Sequence, residues 1–578
     1  MSWRNDIRVV VGLDFGTTYS GFAYCHESGA ENICTNDEWP GKSGILKTNT
    51  VLQYDSEFKN VVEWGYPALS KRKNKNKVRP VELFKLHLGN LQENLKPILP
   101  DNLKYMKAIT DYLCEIGKVK IEYFETIMKW DGIDFTENVL FVLTVPAEFS
   151  EKDKTIMRKC AHKAKLIKSK SSKNLEFTTE PEAAALYCMN KLQEHGLSIG
   201  TTFMIVDCGG GTVDLTTRML IENKQLSEIT ERIGDFCGST FIDREFINFL
   251  REKLGTRAID KLIENHYGQY QYMIQEFCEY AKNLFTGEKG FLYELDIEEN
   301  SLSQYLSEET KEIMKKNEWL ICIKYNDIKK MFDPIIDRII RLIYVQLSNN
   351  RKTCEAMFLV GGFSESKYLQ KKIRAEFRHK VKIISVPGQP EAAIVRGAAI
   401  YGLSLINSSK TDEMNNFVFA IHSRVLTFTY GIKVLGEWKK DIHPPHRKIY
   451  NNKIYLFDPF VKRGTEVEVG KESPPKSGYT PLNPSQTGLK FELYKTSKYE
   501  VKYFEEDEDV DNEDEIEEDK ENKMELVGTL RIDLPDIHLA CDRRVTFGFY
   551  FGDMEITAFA RNEVNGQNFQ TKFEIEEF

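Results

Sequence analysis

At 578 residues the chain is too long for one hydrophobic core, so three or four domains or subdomains are expected. With 41% hydrophobic and 29% charged residues it reads as globular, and no apolar run reaches the ~18 residues of a membrane-spanning helix. The net charge of −9 is concentrated in Glu505–Glu521, thirteen carboxylates against one lysine; the remainder is about +3, which removes the electrostatic case for a nucleic-acid partner.

The N-terminus carries no signal-peptide core, and the eleven cysteines form neither CxxC pairs nor Cys/His clusters. Both features point to a cytoplasmic protein with reduced thiols and no zinc. The first predicted element is a β-branched run, VVVGLD (Val9–Asp14), stopped by an aspartate ahead of Gly16-Thr17-Thr18. An insertion of about 40–135 follows, with helical patterns and the basic run SKRKNKNKVR, read as an exposed loop. VLFVLTVPAEFSEKDK (Val139–Lys154) predicts a buried strand running into a helix capped by Ser150. FTTEPEAAALYC (Phe177–Cys188) predicts a short strand and a small-residue helix, with Pro181 in its first turn.

The series then starts again. MIVDCGGGTVDL (Met204–Leu215) repeats the strand, aspartate, glycines and threonine. A largely helical insertion of about 235–335 ends in a short charged β-like patch. EAMFLVGGFSESKYLQKK (Glu355–Lys372) repeats the strand-to-helix step, with Ser364 at the expected cap. SVPGQPEAAIVRGAA (Ser385–Ala399) repeats the Pro-Glu-Ala-Ala helix, with Pro390 near its start. Three signals in matching order imply an internal duplication into α/β lobes of about 7–195 and 200–404.

A polar linker, 405–416, leads to a C-terminal stretch, 417–578, in which segments such as LKFELYK and LVGTLRIDL alternate apolar and polar residues. This predicts an all-β module. Its acidic run, about 504–522, reads as a disordered, solvated loop, without the glycine and spacing of an EF-hand.

A hairpin tipped with Gly and Thr exposes consecutive N–H groups, and such nests bind anions. An aspartate beside the nest would repel a bare phosphate unless a cation lies between them, and Mg²⁺ with its water shell suits an all-oxygen environment. Two such turns from two lobes would clamp a triphosphate from both sides, with Mg²⁺ between Asp14 and Asp207. The alternative is a pair of ordinary tight hairpins.

The motifs GLDFGTTYS, LTVPAEFS, TTEPEAAAL, VDCGGGTVDLT, FLVGGFSES and QPEAAIVRGAA resemble the phosphate, connecting and adenosine motifs of the actin-like ATPase superfamily. They are most similar to the heat-shock 70 family, in its divergent heat-shock 70 kDa protein 12-like branch, over about residues 7–404. The resemblance implies duplicated actin-like (ribonuclease H-like) lobes flanking a nucleotide cleft. It implies ATP/ADP and Mg²⁺ as cofactors, slow ATP hydrolysis, and a monomer whose β-sandwich-like C-terminal domain engages a polypeptide client.

Residue by residue, the resemblance places Asp14 and Asp207 at the water shell of the Mg²⁺. Gly16, Thr17, Thr18, Tyr19, Gly209, Gly210, Gly211 and Thr212 fall at the phosphates. It makes Glu180 the group orienting or deprotonating water, puts Asp214 in the same pocket, and sets Lys85, in ELFKLHLG, at the γ-phosphate. Gly238, Gly361 and Gly362 fit ribose and phosphate contacts, Glu279 and Lys282 the nucleoside, and Glu391 a less direct contact. Asn283 and Glu365 stand where the family places two arginines that sandwich adenine, so the base end departs from the pattern. The linker lacks the family's Leu-rich coupling segment, and no room is left for a helical lid. A nucleotide-gated interaction module with negligible turnover is the alternative function. A sugar kinase is disfavoured by the turn sequences and the β-module.

Overall fold

The first strand, β1 (Val9–Asp14), is buried at all six positions, as its unbroken apolar run requires of a strand covered on both faces. It forms an antiparallel hairpin with β2 (Tyr19–His26), which sets Asp14 opposite Gly21. β3 (Val139–Val145) runs parallel to β1 with Thr144 opposite Asp14, and β4 (Leu175–Thr179) runs parallel to β3. The sheet order is therefore β4-β3-β1-β2. A second sheet is assembled from β5 (Thr202–Cys208), β6 (Val213–Leu220), β7 (Ala356–Val360) and β8 (Ile383–Ser385). Its order, β8-β7-β5-β6, has the same directions: an antiparallel β5–β6 hairpin and parallel β5–β7 and β7–β8 pairs. The protein is thus a mixed α/β molecule with several sheets. This computed structural model describes residues 6–29, 32–69, 79–123, 133–147, 149–222, 225–298, 301–407, 421–504, 524–551 and 556–572. The basic run up to residue 78, the linker from 408 and the acidic run 505–521 lie outside them.

The described residues also form α-helices. They are α1 (Tyr105–Tyr123), α2 (Glu151–Lys163), α3 (Glu180–Glu194), α4 (Thr240–Leu254), α5 (Thr256–Asn265), α6 (Tyr267–Phe277), α7 (Glu308–Lys316), α8 (Tyr325–Ser348), α9 (Lys367–Phe377) and α10 (Ala393–Asn407). Ser150 caps α2 in a capping box: its hydroxyl accepts from Asp153 N, and the Asp153 carboxylate accepts from Ser150 N at 3.0 Å. The expected cap of α9, Ser364, is a correction. A 3-10 turn over Gly362–Glu365 delays the helix, so Ser366 accepts from Leu369 N, while Ser364 donates to the Val360 carbonyl. The charged β-like patch is an antiparallel pair of Leu292–Asp296 with Leu320–Lys324, with the helix Glu308–Lys316 between them in the chain.

Small residues let α3 and α10 meet backbone to backbone. A β-carbon at Gly397 would lie 1.7 Å from the Ala183 carbonyl oxygen. α10 also lies on β1, where a β-carbon at Gly12 would sit 2.4 Å from Val395 O. The helix closing the stretch read as a second lobe therefore packs on the first sheet. An ion pair that is 0% exposed on both sides, Arg218 with Glu182 at 3.3 Å, ties β6 to α3. Such a pair is satisfied only with further hydrogen bonds, which Thr216 and Thr178 supply.

The chain divides into two compact units, 1–225 with 232–420, and 226–231 with 421–578. The second consists of two four-stranded antiparallel sheets. One holds Thr429–Glu437, Lys453–Val461, Gly488–Thr496 and Glu525–Asp533, the other Lys476–Tyr479, Val545–Phe551, Ile556–Asn562 and Asn568–Lys572. Their alternating apolar residues share one core, in which Phe491 stacks on Phe547 at 4.6 Å. Residues 226–231 join this unit through a parallel strand pair at Ile421 and the Arg463–Glu231 ion pair at 2.7 Å. Among the described residues from Ile421 onward there is no α-helix.

Candidate functional site

The two hairpin tips face each other. A β-carbon on Gly210 would come within 2.3 Å of Thr18 Oγ1, and one on Gly211 within 2.6 Å of Thr17 Oγ1. Only glycine fits there. Both turns have their carbonyls occupied from behind: Thr50 Oγ1 donates to Gly16 O and Thr50 N to Thr18 O. Residues Gly238, Ser239 and Thr240 donate their N–H groups to Gly211 O, Gly209 O and Gly210 O. Among the described residues the N–H groups of Thr17, Thr18, Gly210, Gly211 and Thr212 meet no acceptor. Two glycine–threonine nests with free donors, set tip to tip, suit an extended anion.

Below the tips lies a buried charged cluster. Asp14 ends β1 and Asp207 is the next-to-last residue of β5, at 2% exposure each, Asp214 is the second residue of β6 at 1%, and Glu180 opens α3 at 7%. Two ammonium groups enter it. Lys85, on a 3-10 turn over Phe84–His87, meets Glu180 Oε1 at 2.7 Å, and Lys47 meets Asp14 Oδ2 at 2.5 Å. Asp14 Oδ1 also accepts from Thr144 Oγ1 at 3.2 Å, and Asp214 Oδ1 from Ala147 N at 2.8 Å. Asp207 Oδ1 is buried with no hydrogen-bond partner. Gly361, at φ +80°, makes room for that oxygen, since a β-carbon there would lie 2.4 Å from it.

The titration behaviour follows from this crowding. Burial, helped by Asp14 and Asp214 and opposed by Lys85, lifts the Glu180 carboxyl from 4.5 to about 7. Burial and then Glu180, Asp214 and Asp14 push Asp207 well above the carboxylate range. For Lys47, burial alone would lower the pKa, but Asp14 first, then Asp207 and Glu180, raise it instead. An orphaned carboxylate oxygen and a surplus of negative charge fit a cation, and no three described His, Cys, Asp or Glu side chains converge for direct coordination. That donor set suits Mg²⁺ retaining its water shell.

The residues read for the nucleoside are less gathered. Lys282 is buried and engaged, with its ammonium 2.6 Å from Asp243 Oδ1 and 3.1 Å from Ser239 O. Glu279, Asn283, Gly362 and Glu365 are exposed, Glu391 is half-buried, and Tyr19 is 51% exposed. Burial first, then Glu391, raises the Glu365 carboxyl. Gly238 is set by packing: a β-carbon there would lie 2.4 Å from Gly210 O. Lys47 and Asp243 escaped the sequence reading. For Lys47 the one local signal is the alternation of Thr48 and Thr50, whose strand pairs with Tyr19 and Ser20.

No protein-family model matches the chain. Curated relatives do, at low identity. Human heat shock 70 kDa protein 12A is 25% identical over 644 aligned residues, covering 97% of this chain and 90% of the relative. The similarity is to the heat-shock 70 kDa protein 12 branch. Human heat shock 70 kDa protein 12B is 23% identical, with 84% of this chain and 80% of the relative covered. The movement protein Hsp70h of Lettuce infectious yellows virus is also 23% identical, over 70% of this chain and 66% of its own length. The similarity to the heat-shock 70 kDa protein 12 proteins thus extends across both compact units, whereas the motifs that suggested it lie before residue 404.

Proposed function

We propose that this chain is an ATP-binding, slowly hydrolysing heat-shock-70-like chaperone. Its two sheets would be the duplicated lobes of an actin-like ATPase in the cytoplasm, and its β-module, without a helical lid, would engage polypeptide by strand pairing. The observation that carries the nucleotide reading is the pair of glycine–threonine tips, with Thr18 and Thr17 against Gly210 and Gly211 above a buried carboxylate–lysine cluster.

In this reading the free N–H groups of both tips and the Thr17, Thr18 and Thr212 hydroxyls bind the β- and γ-phosphates. Asp14 and Asp207 would hold the water shell of Mg²⁺, which when bound supplies charge neutralisation at those phosphates. Lys85 offsets charge on the transferred phosphoryl group and holds Glu180. Glu180, raised to about 7, is poised to orient water and accept its proton near neutral pH. Asp214, fixed by Ala147 N, keeps β6 and the Glu180 pocket in register.

The alternative, a nucleotide-gated module with negligible turnover, is favoured by two observations: Asp14 is already paired to a lysine, and residues 283 and 365 offer no guanidinium to stack on a base. Phosphate release from Mg²⁺-ATP, measured for the intact chain and for Asp207→Asn, separates the two. Turnover abolished by the substitution supports hydrolysis; nucleotide binding without turnover supports gating; no binding of any nucleotide overturns both.

A further inference from the structure

The cluster contains a cation that neither the duplicated motifs nor the phosphate chemistry called for. Lys47 sits just before the short strand Thr48–Asn49, which pairs with Tyr19 and Ser20 at the start of β2. Thr50 fastens the same strand to the first tip through Gly16 O, Thr18 O and the Ser20 hydroxyl. Its side chain reaches the cluster past Gly21, the residue opposite Asp14 in the β1–β2 hairpin. A β-carbon at Gly21 would lie 2.9 Å from Lys47 Cγ, so the missing side chain is the lane through which the lysine stem passes. At its end the ammonium bonds Asp14 Oδ2 at 2.5 Å and lies within electrostatic reach of Asp207 and Glu180.

Charge in the cluster is therefore split unevenly. Asp14, Glu180, Asp207 and Asp214 bring four carboxylates, Lys47 and Lys85 two ammonium groups. Lys85 answers Glu180 and Lys47 answers Asp14, while Asp207 Oδ1 has no hydrogen-bond partner. The Asp14 half of the expected cation site is filled by the protein itself.

We propose that Lys47 is a resident cation of the phosphate site, which neutralises Asp14 so that nucleotide binding depends only weakly on divalent metal. This rests on the nucleotide reading above. A phosphate chain at the tips then meets a neutral Lys47–Asp14 pair in place of a bare carboxylate, and the divalent ion is needed chiefly beside Asp207. A charge-assisted contact in a buried site is worth on the order of ten- to a hundred-fold in affinity. The stem passes at Gly21 and its ammonium is already bonded to Asp14.

The test is binding of a fluorescent ATP analogue to the full chain, in Mg²⁺ and in EDTA, for wild type, Lys47→Met and Lys47→Arg. Wild type is expected to lose less than about ten-fold on metal removal, and Lys47→Met about a hundred-fold, with partial recovery in Lys47→Arg. A wild type that loses a hundred-fold or more in EDTA, or a Lys47→Met that loses no more than wild type, overturns the inference while leaving the nucleotide reading standing. A wild type that binds nothing even with Mg²⁺ overturns both. Thermal melting with Mg²⁺ alone gives a second readout. Lys47→Met should melt lower and gain more from the metal than wild type; equal gains count against the proposal, and if the variant does not fold the wild-type EDTA measurement decides alone.

Discussion

The turns at Asp14 and Asp207 share a sequence plan and a backbone plan, yet their aspartates stand in different electrostatic conditions. Asp14 is paired to Lys47 and hydrogen-bonded by Thr144, whereas Asp207 keeps an oxygen without a hydrogen-bond partner and a raised pKa. The tips differ too: Thr50, from the strand just beyond Lys47, braces the first, and the Gly238–Thr240 segment ahead of α4 braces the second. Equivalent local sequence thus produced one aspartate paired to a lysine and one left with an oxygen that has no hydrogen-bond partner.

Because of that asymmetry, the two aspartates should respond oppositely to the same change. Asp207→Asn should lower phosphate release by about 100-fold or more, because a group acting on transition-state charge is lost. The same variant should melt higher than wild type without nucleotide, since a buried, unneutralised carboxylate has been removed. Asp14→Asn should instead melt lower, by about 2 kcal/mol in urea denaturation, because it strands the Lys47 ammonium. Equal signs for the two would dissolve the distinction.

The braces give a smaller contrast. Gly238→Ala would press a β-carbon to 2.4 Å from Gly210 O, against backbone that cannot swing aside, and should cost about 1–2 kcal/mol and weaken nucleotide binding. Gly290→Ala, in open space, should change neither measurement.

The smallest effect is the pH dependence of the nucleotide-free protein. Glu180 and Asp207 hold protons more tightly folded than unfolded. The Glu180 contribution is therefore most favourable below its ordinary value, near 4.5, and is lost as pH rises through about 7, and that of Asp207 runs in the same direction. The stability of wild type relative to Glu180→Gln should fall across that window by on the order of 1 kcal/mol, measured as urea midpoints at stepped pH. A flat difference would mean the carboxylates are not crowded in solution.

Much of the scaffold was legible because its signals are local. VVVGLD and TFMIVDC are apolar runs closed by aspartate and turn residues, and both became hairpins at those positions. Alternation in LKFELYK and LVGTLRIDL became adjacent antiparallel strands for the same reason. Ser364 was misread because a 3-10 turn after Gly361 shifts the helix start by two residues, and cap chemistry fits either serine. Lys47 was barely legible: the Thr48/Thr50 alternation beside it marks a strand, but nothing local points to the carboxylate it pairs with, 33 positions away. The same holds for Arg218, whose partner Glu182 reads locally as one more helix-opening carboxylate.

The crossing of α3 and α10 has a mechanical meaning. Where Gly397 meets Ala183, no side chain separates the two helices, so that point holds no rotamer to change and no groove to slip along. A joint of bare backbone can roll but cannot slide. Glu180, three residues before Ala183 on the same helix, is carried by this crossing.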